Sequence, residues 1–226
     1  MGWSRQRAGT VMTISRVGSA SAQATTITIP THQSGDLILI VANRNNITAA
    51  TVPSGWVASS TGGSGVNTAF AWKLAKSSSE TSGTFTNAVA LHCAVYRASS
   101  GILAMSTSSS GTTASSTTII YSANGSYRAG SLDNWWIATA FQLNSANSLE
   151  TAPSGMTNIN SESSAGNWKS VLHDTNASQL SNWASTNVTV ANAAVSITRV
   201  MQIIEFDGPA FGGGFRPVNI RGGADQ

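Results

Sequence analysis

The apolar positions along this chain mark short strands. Residues 37–42 (Leu37, Ile38, Leu39, Ile40, Val41, Ala42) are continuously apolar, which predicts a strand covered on both faces. Residues 68–75 alternate instead, with Phe70, Trp72 and Leu74 on one face and Ala69, Ala71 and Lys73 on the other; the larger set should point into the core. Residues 11–17 and 25–29 are alternating or β-branched, and the polar connector 18–23 between them predicts a hairpin. Residues 56–60 read as a strand followed by a flexible hairpin loop at 61–65, and residues 90–97 close this part of the chain with another apolar run. No segment sustains a capped helical period, and the best helical candidate, residues 178–184, is too short to matter.

The same order of elements returns at a spacing of roughly 100 residues. Gly35-Asp36-Leu37 leading to Pro53-Ser54-Gly55-Trp56 is echoed by Asp133-Asn134-Trp135 leading to Pro153-Ser154-Gly155-Met156. Thr25-Thr26-Ile27-Thr28-Ile29 matches Thr117-Thr118-Ile119-Ile120-Tyr121, the strand at Phe70-Ala71-Trp72-Lys73-Leu74 matches Ser170-Val171-Leu172-His173-Asp174, and the run at 91–96 matches that at 200–206. Each Pro-Ser-Gly supplies a fixed φ followed by a residue free to take positive φ, which is turn chemistry. The expected fold is all-β: a jelly-roll-like antiparallel β-sandwich built from two pseudo-repeated halves, 11–98 and 99–206. A half so poor in large aliphatic residues cannot close a core of its own, so the halves should share one. Residues 106–116 are nearly pure Ser, Thr and Gly, and read as a loop, as an extended hydroxyl-rich strand or as a linker between two independent domains.

Outside the sandwich lie an N-terminal arm, 1–10, and a Gly-rich C-terminal arm, 207–226, that has no counterpart in the first half. Phe211 and Phe215 flank three consecutive glycines, so this end is either a disordered tail or an adaptable strap with apolar plugs. Trp3, Arg5 and Arg7 at one end and Phe211, Phe215 and Arg216 at the other are the candidate assembly contacts.

Charged residues are 9% of the 226 residues, against roughly 25% in ordinary soluble proteins. Hydroxyls and amides must therefore keep the surface wet, a composition common on extracellular or virion β-proteins. Low charge also removes one guard of exposed strand edges, so loops or partners should cover them. The net charge of +3 is small and its bases are scattered, which argues against nucleic acid as a partner. Cys93, the single cysteine, sits in an apolar run and reads as a buried, inert thiol. No long apolar region follows the N-terminus as in a secretory signal, and no apolar stretch approaches the about 18 residues of a membrane span. Synthesis in a host cytoplasm and release by another route are expected.

Reactive chemistry has few candidates. His173-Asp174 could orient a base toward a serine, but no Gly-x-Ser-x-Gly elbow presents a nucleophile. His92 and Cys93 are strand neighbours and point to opposite faces; His32 lies in a loop. Metal-ligand spacings and phosphate cradles are missing, so neither metal nor cofactor is expected. The indoles of Trp56, Trp135, Trp136, Trp168 and Trp183 offer the best ligand chemistry. Trp135 and Trp136 are adjacent on a strand, so one should enter the core and the other face outward as a sugar platform or subunit contact, whereas core packing is the simpler role for the others.

The motifs Gly35-Asp36-Leu37, Pro53-Ser54-Gly55-Trp56, the segment from Ser77-Ser78-Ser79-Glu80 to Thr84-Phe85-Thr86, Val95-Tyr96-Arg97, Pro153-Ser154-Gly155-Met156 and His173-Asp174-Thr175 fall in an order that resembles a family of tailed-bacteriophage and prophage proteins. Members carry Gly-Asp-Leu, Pro-x-Gly-Trp and Tyr-Arg-Gly in the first half and a degenerate copy in the second. Here Ala98 replaces the glycine after Arg97, and Asp133-Asn134 replaces the second Gly-Asp, departures that touch turns more than the fold. The resemblance covers about residues 12–206 and implies a structural component of the virion, with no catalytic residues to carry over. Three roles follow as expectations: a homo-oligomer, a trimer among its options, exposed on the tail tip or fibre; a decoration protein of the head; or a module that binds host surface glycan. Other virion proteins are the expected partners.

Overall fold

The computed structural model describes residues 14–206 except 100, 107, 129, 130 and 132. Every regular element among them is a strand: β1 (Ile14–Ala22), β2 (Leu37–Arg44), β3 (Val57–Gly63), β4 (Val66–Leu74), β5 (Ala90–Ala98), β6 (Ile102–Met105), β7 (Ser109–Tyr121), β8 (Asp133–Gln142), β9 (Thr157–Ser164), β10 (Trp168–Asp174) and β11 (Thr186–Phe206). They form two antiparallel sheets, one of five strands in the order β1-β5-β2-β4-β3, the other of six in the order β6-β11-β8-β10-β9, with β7 also paired to β11.

The two sheets share a plan. β2 lies between β5 and β4 as β8 lies between β11 and β10; Leu37 faces Leu74 and Tyr96 across its sheet, and Ile137 faces Asp174 and Met201. Gly55 and Gly155 both hold φ 85°, the left-handed conformation that each Pro-Ser-Gly turn demands and that glycine takes without Cβ strain. Because β1–β5 all stay in one sheet and β6–β11 in the other, the strand order does not show the paired Greek keys of a jelly roll.

Strands adjacent in sequence are often separated in the sheet. β1 leads to β2 across β5, and β2 to β3 across β4, so the connecting loops must pass over the outer face. There Ile27, Ala50, Phe85 and Ala88 pack on Ile38, Ile40, Ala71, Cys93 and Val95. Sheet two is covered in the same way, with Leu149, Met156 and Trp183 on Trp136, Ala138, Val171 and Val200. The β7–β11 ribbon adds to that cover, because its register breaks between Thr189 and Ser196 and it turns back on itself. Thr198 Oγ1 donates to Ile120 O at 2.6 Å and also reaches Gly111 O, so the two ends of β7 lie together. Ile119, Tyr121, Val188 and Val190 then join the outer cluster.

Between the sheets, Leu37, Leu39, Val41, Phe70 and Tyr96 meet Trp135, Ile137, Leu172, Met201 and Ile203 in one shared cluster, and Val66 and Ala90 meet Phe141, Trp168 and Ile197 in a second. Apolar burial of this extent, at about 25 cal/mol per Å², is the main term holding the layers together.

Two local expectations are corrected. The hairpin of 11–17 with 25–29 does not form: β1 continues through Gly18 to Ala22, pairs with β5 across a bulge near Val17, and residues 23–29 leave the sheet so that Ile27 can plug the outer face. The hydroxyl-rich stretch 106–116 is largely strand, paired by β7 with β11, rather than an interdomain linker.

Candidate functional site

β1 is an edge strand, bonded to β5 on one side only, and sheet two takes up some of its remaining polar groups. Ile14 N donates to Asp133 Oδ2 at 2.8 Å, Arg16 Nη1 to Asp174 Oδ2 at 2.7 Å, and Asn160 Nδ2 to Ala20 O at 2.9 Å. Just beyond the strand, Gln23 Nε2 donates to Ser163 O at 2.9 Å. These contacts make a polar seam that closes the sandwich along β1 and β9, a guard of the edge that needs little charge.

Behind the seam lies a chain of three polar side chains. Asn160 is oriented by its bond to Ala20 O, so its Oδ1 faces His92 Nδ1 at 2.6 Å and must accept from it. That leaves His92 Nε2 as the acceptor for Ser170 Oγ at 2.7 Å. Hydroxyl, imidazole and amide thus stand in the relation of nucleophile, base and orienting group. Their surroundings give them a different task. His92 and Ser170 are fully buried, and desolvation drops the imidazole to about 4, so it is neutral and no substrate reaches the hydroxyl in this conformation. The triplet satisfies polar groups in the interior and ties β5 and β1 to β9 and β10.

Asp174 is the second buried group of the seam. Besides Arg16 it accepts from Tyr96 Oη at 3.1 Å and from Thr157 Oγ1 at 3.3 Å. Burial raises its pKa, and the Arg16 charge and these bonds oppose the rise.

At the other edge, where β3 lies against β7, Arg199 plays the corresponding part. Its guanidinium, on the buried side of β11, donates to Ser59 O, to Ser59 Oγ at 2.8 Å and to Ser108 Oγ, and it lies over the Phe70 ring with 5.2 Å to the centroid. Thr61 Oγ1 also reaches Ser110 Oγ. Desolvation lowers the Arg199 pKa to about 10, which leaves it charged at neutral pH.

The structure reassigns several sequence candidates. Trp135 and Trp136 do point to opposite faces, Trp135 edge-on to Tyr96 between the sheets and Trp136 against Trp183 outside. Both are packed, Trp135 between the sheets and Trp136 beneath the segments that cover the outer face, which leaves them 5% and 1% exposed. His173 and Asp174 likewise diverge: Asp174 enters the seam, whereas His173 is buried against Tyr121 on the outer face and, among the described residues, has no hydrogen-bond partner on either ring nitrogen. His32 is held by Pro30 O at 2.7 Å and accepts from Glu80 N. Cys93 points away from His92 into the outer cluster, and burial pushes its thiol up to about 12. Trp56 is half-buried, edge-on to Phe85 and with Lys73 Nζ over its ring. Among the described residues no group of three or more His, Cys, Asp or Glu is placed to hold a metal. Trp3, Arg5, Arg7, Phe211, Phe215 and Arg216 lie outside the described residues.

Sequence reasoning missed the Ser170, His92, Asn160 chain and the buried Arg199. For His92, Ser170 and Arg199 the one signal is polarity at positions whose parity places them with the core residues Ala94, Leu172 and Met201. Comparison of the chain with protein-family models, curated proteins and solved structures finds no match.

Proposed function

We propose that this chain is a non-enzymatic structural protein of a tailed-bacteriophage virion, exposed on the tail tip or fibre and docked through the segments at its two ends. The observation that carries the reading is the position of Asp133. It accepts the Ile14 amide at the start of β1 and lies opposite Glu205 in the β8–β11 register, so Ile14 and Phe206, the described residues next to segments 1–13 and 207–226, lie at the same end of the sandwich. A body with cross-sheet bonds along both seams, whose first and last described residues lie at one end, suits attachment by that end. Edge-to-edge pairing is the weaker route, because cross-sheet bonds already occupy Ala20 O, Ser59 O and Ser163 O.

Deleting residues 207–226 should leave the isolated sandwich folded and abolish its incorporation into particles; normal incorporation would refute docking by that end. Copy number separates the two virion roles, since hundreds per particle would mean head decoration and a handful the tail. The glycan-binding alternative loses Trp135 and Trp136 to packing. Of the other indoles considered for it, Trp168 and Trp183 are buried as well, which leaves the half-buried Trp56.

A further inference from the structure

We propose that the seam where β1 meets sheet two is an acid-sensitive clasp: uptake of a proton at His92 frees the edge strand β1, and with it the chain leading to Ile14, while β8, β10 and β11 stay paired. The clasp does not depend on any virion role.

Two of the ties that hold β1 to sheet two, Asn160 to Ala20 O and Arg16 to Asp174, rest on titratable groups. Asn160 Oδ1 accepts from the Nδ1–H of His92, a bond that a charged ring would keep, so the effect of a second proton falls on the other side of the ring. At the other nitrogen, Ser170 donates into the Nε2 lone pair. A second proton on the ring fills that lone pair, so the Ser170 hydroxyl must turn its hydrogen elsewhere in a dry layer where the serine is fully buried.

The new charge would also lack a carboxylate in contact. From β9, the Asn160 hydrogen bond and then the Glu162 charge favour the charged ring, but desolvation outweighs them. From β10, Asp174 is engaged by Arg16 of β1 and by Tyr96 of β5. His173 faces the opposite side of β10, and no titratable side chain of β2 flanks the ring, whose register neighbour there is Val41. The interior therefore offers two outcomes, exclusion of the proton or opening of the seam to water. The seam's own edges cost less to open than the sheet interiors, because β1 and β9 are each bonded to one strand and β8 to two.

The test follows amide exchange and the His92 ring signals by NMR in the full chain, from about pH 7 down to about pH 4. Protection of β1 amides should fall by at least about ten-fold more than that of β8, and His92→Gln should remove that difference in pH response. Equal loss in β1 and β8, or an unchanged response in His92→Gln, overturns the clasp. Should His92→Gln not fold, the unaltered chain decides: protonation of His92 in step with loss of β1 protection supports it, and protonation with β1 still protected refutes it.

Discussion

Asp36 and Arg97 grip each other at the foot of sheet one, Nε to Oδ1 at 2.8 Å and Nη2 to Oδ2 at 2.7 Å. Asp36 is buried, and its Oδ2 also accepts the Gln33 amide at 2.9 Å, so one carboxylate closes the turn before β2 and ties it to the end of β5. The Gly-Asp-Leu and Tyr-Arg motifs are thus two parts of one contact. Arg97→Ala leaves a buried carboxylate without its cation and should cost about 2 kcal/mol, the partial exposure of Arg97 keeping the figure from rising further. Asp36→Asn keeps the Gln33 bond and should cost less. Urea denaturation of both single variants and the double variant should show coupling of about 1 kcal/mol or more, and additive losses would mean the pair is idle.

The fold-back of the β7–β11 ribbon depends on the absence of a side chain at Gly111. A Cβ there would lie 2.9 Å from the Ile120 carbonyl oxygen, a backbone atom that cannot swing aside. Gly111→Ala should therefore cost about 1–3 kcal/mol, the usual range for overpacking. Gly125→Ala is the control, because nothing lies within 4 Å of its added Cβ. Thermal unfolding should separate the two, and equal midpoints would show that the ribbon yields.

Trp135 and Trp136 are both packing residues, one on each side of β8. Replacing either by alanine should cost about 3–5 kcal/mol through the cavity left behind. Near-neutral substitution of one of them, measured by chemical denaturation, would mean that its ring is not enclosed.

How much of this was legible in the sequence depended on whether the governing contacts were local. The continuous apolar run of β2 announced burial on both faces, and both Pro-Ser-Gly turns announced their left-handed glycine, because each signal lies within a few residues. The Trp135-Trp136 pair announced opposite faces but not double burial, since Trp183, Leu149 and the ribbon residues that cover Trp136 come from distant segments. The β1 boundary was lost at Gly18, where a small polar run reads like a loop yet pairs well against Val95 and Ala94. The seam was invisible for the same reason: His92, Asn160 and Ser170 sit on three strands, and no spacing reports that they meet.

Cys93 should be unreactive while the protein is folded. Its sulfur is fully buried, lies among Ile40, Leu91 and Val95, and has its pKa pushed up to about 12, so neither access nor thiolate is available. A thiol-specific reagent at neutral pH should label it only in denaturant, and labelling faster than global unfolding would reveal local opening of the loops that cover sheet one.

Global stability should fall on acidification, and the sign follows from two histidines. In the folded chain burial holds His92 at about 4 and His173 at about 3, whereas both titrate near about 6.5 when unfolded. Between these values the unfolded chain binds protons that the folded chain refuses, so stability is complete above about pH 6.5 and declines as the pH falls toward the folded values. Asp174 works the other way, because burial raises its pKa and folding then favours its protonated form, but Arg16 and the Tyr96 and Thr157 hydroxyls oppose that rise. Every tenfold loss of proton affinity on folding corresponds to about 1.4 kcal/mol, so the histidines together command several kcal/mol, a large share of a typical folding free energy. Urea midpoints should drop steadily from about pH 6.5 to about pH 4, and His173→Phe, which fills the outer-face site with an uncharged ring beside Tyr121, should remove part of that slope. A midpoint constant across this window would mean that water reaches both imidazoles in the folded protein.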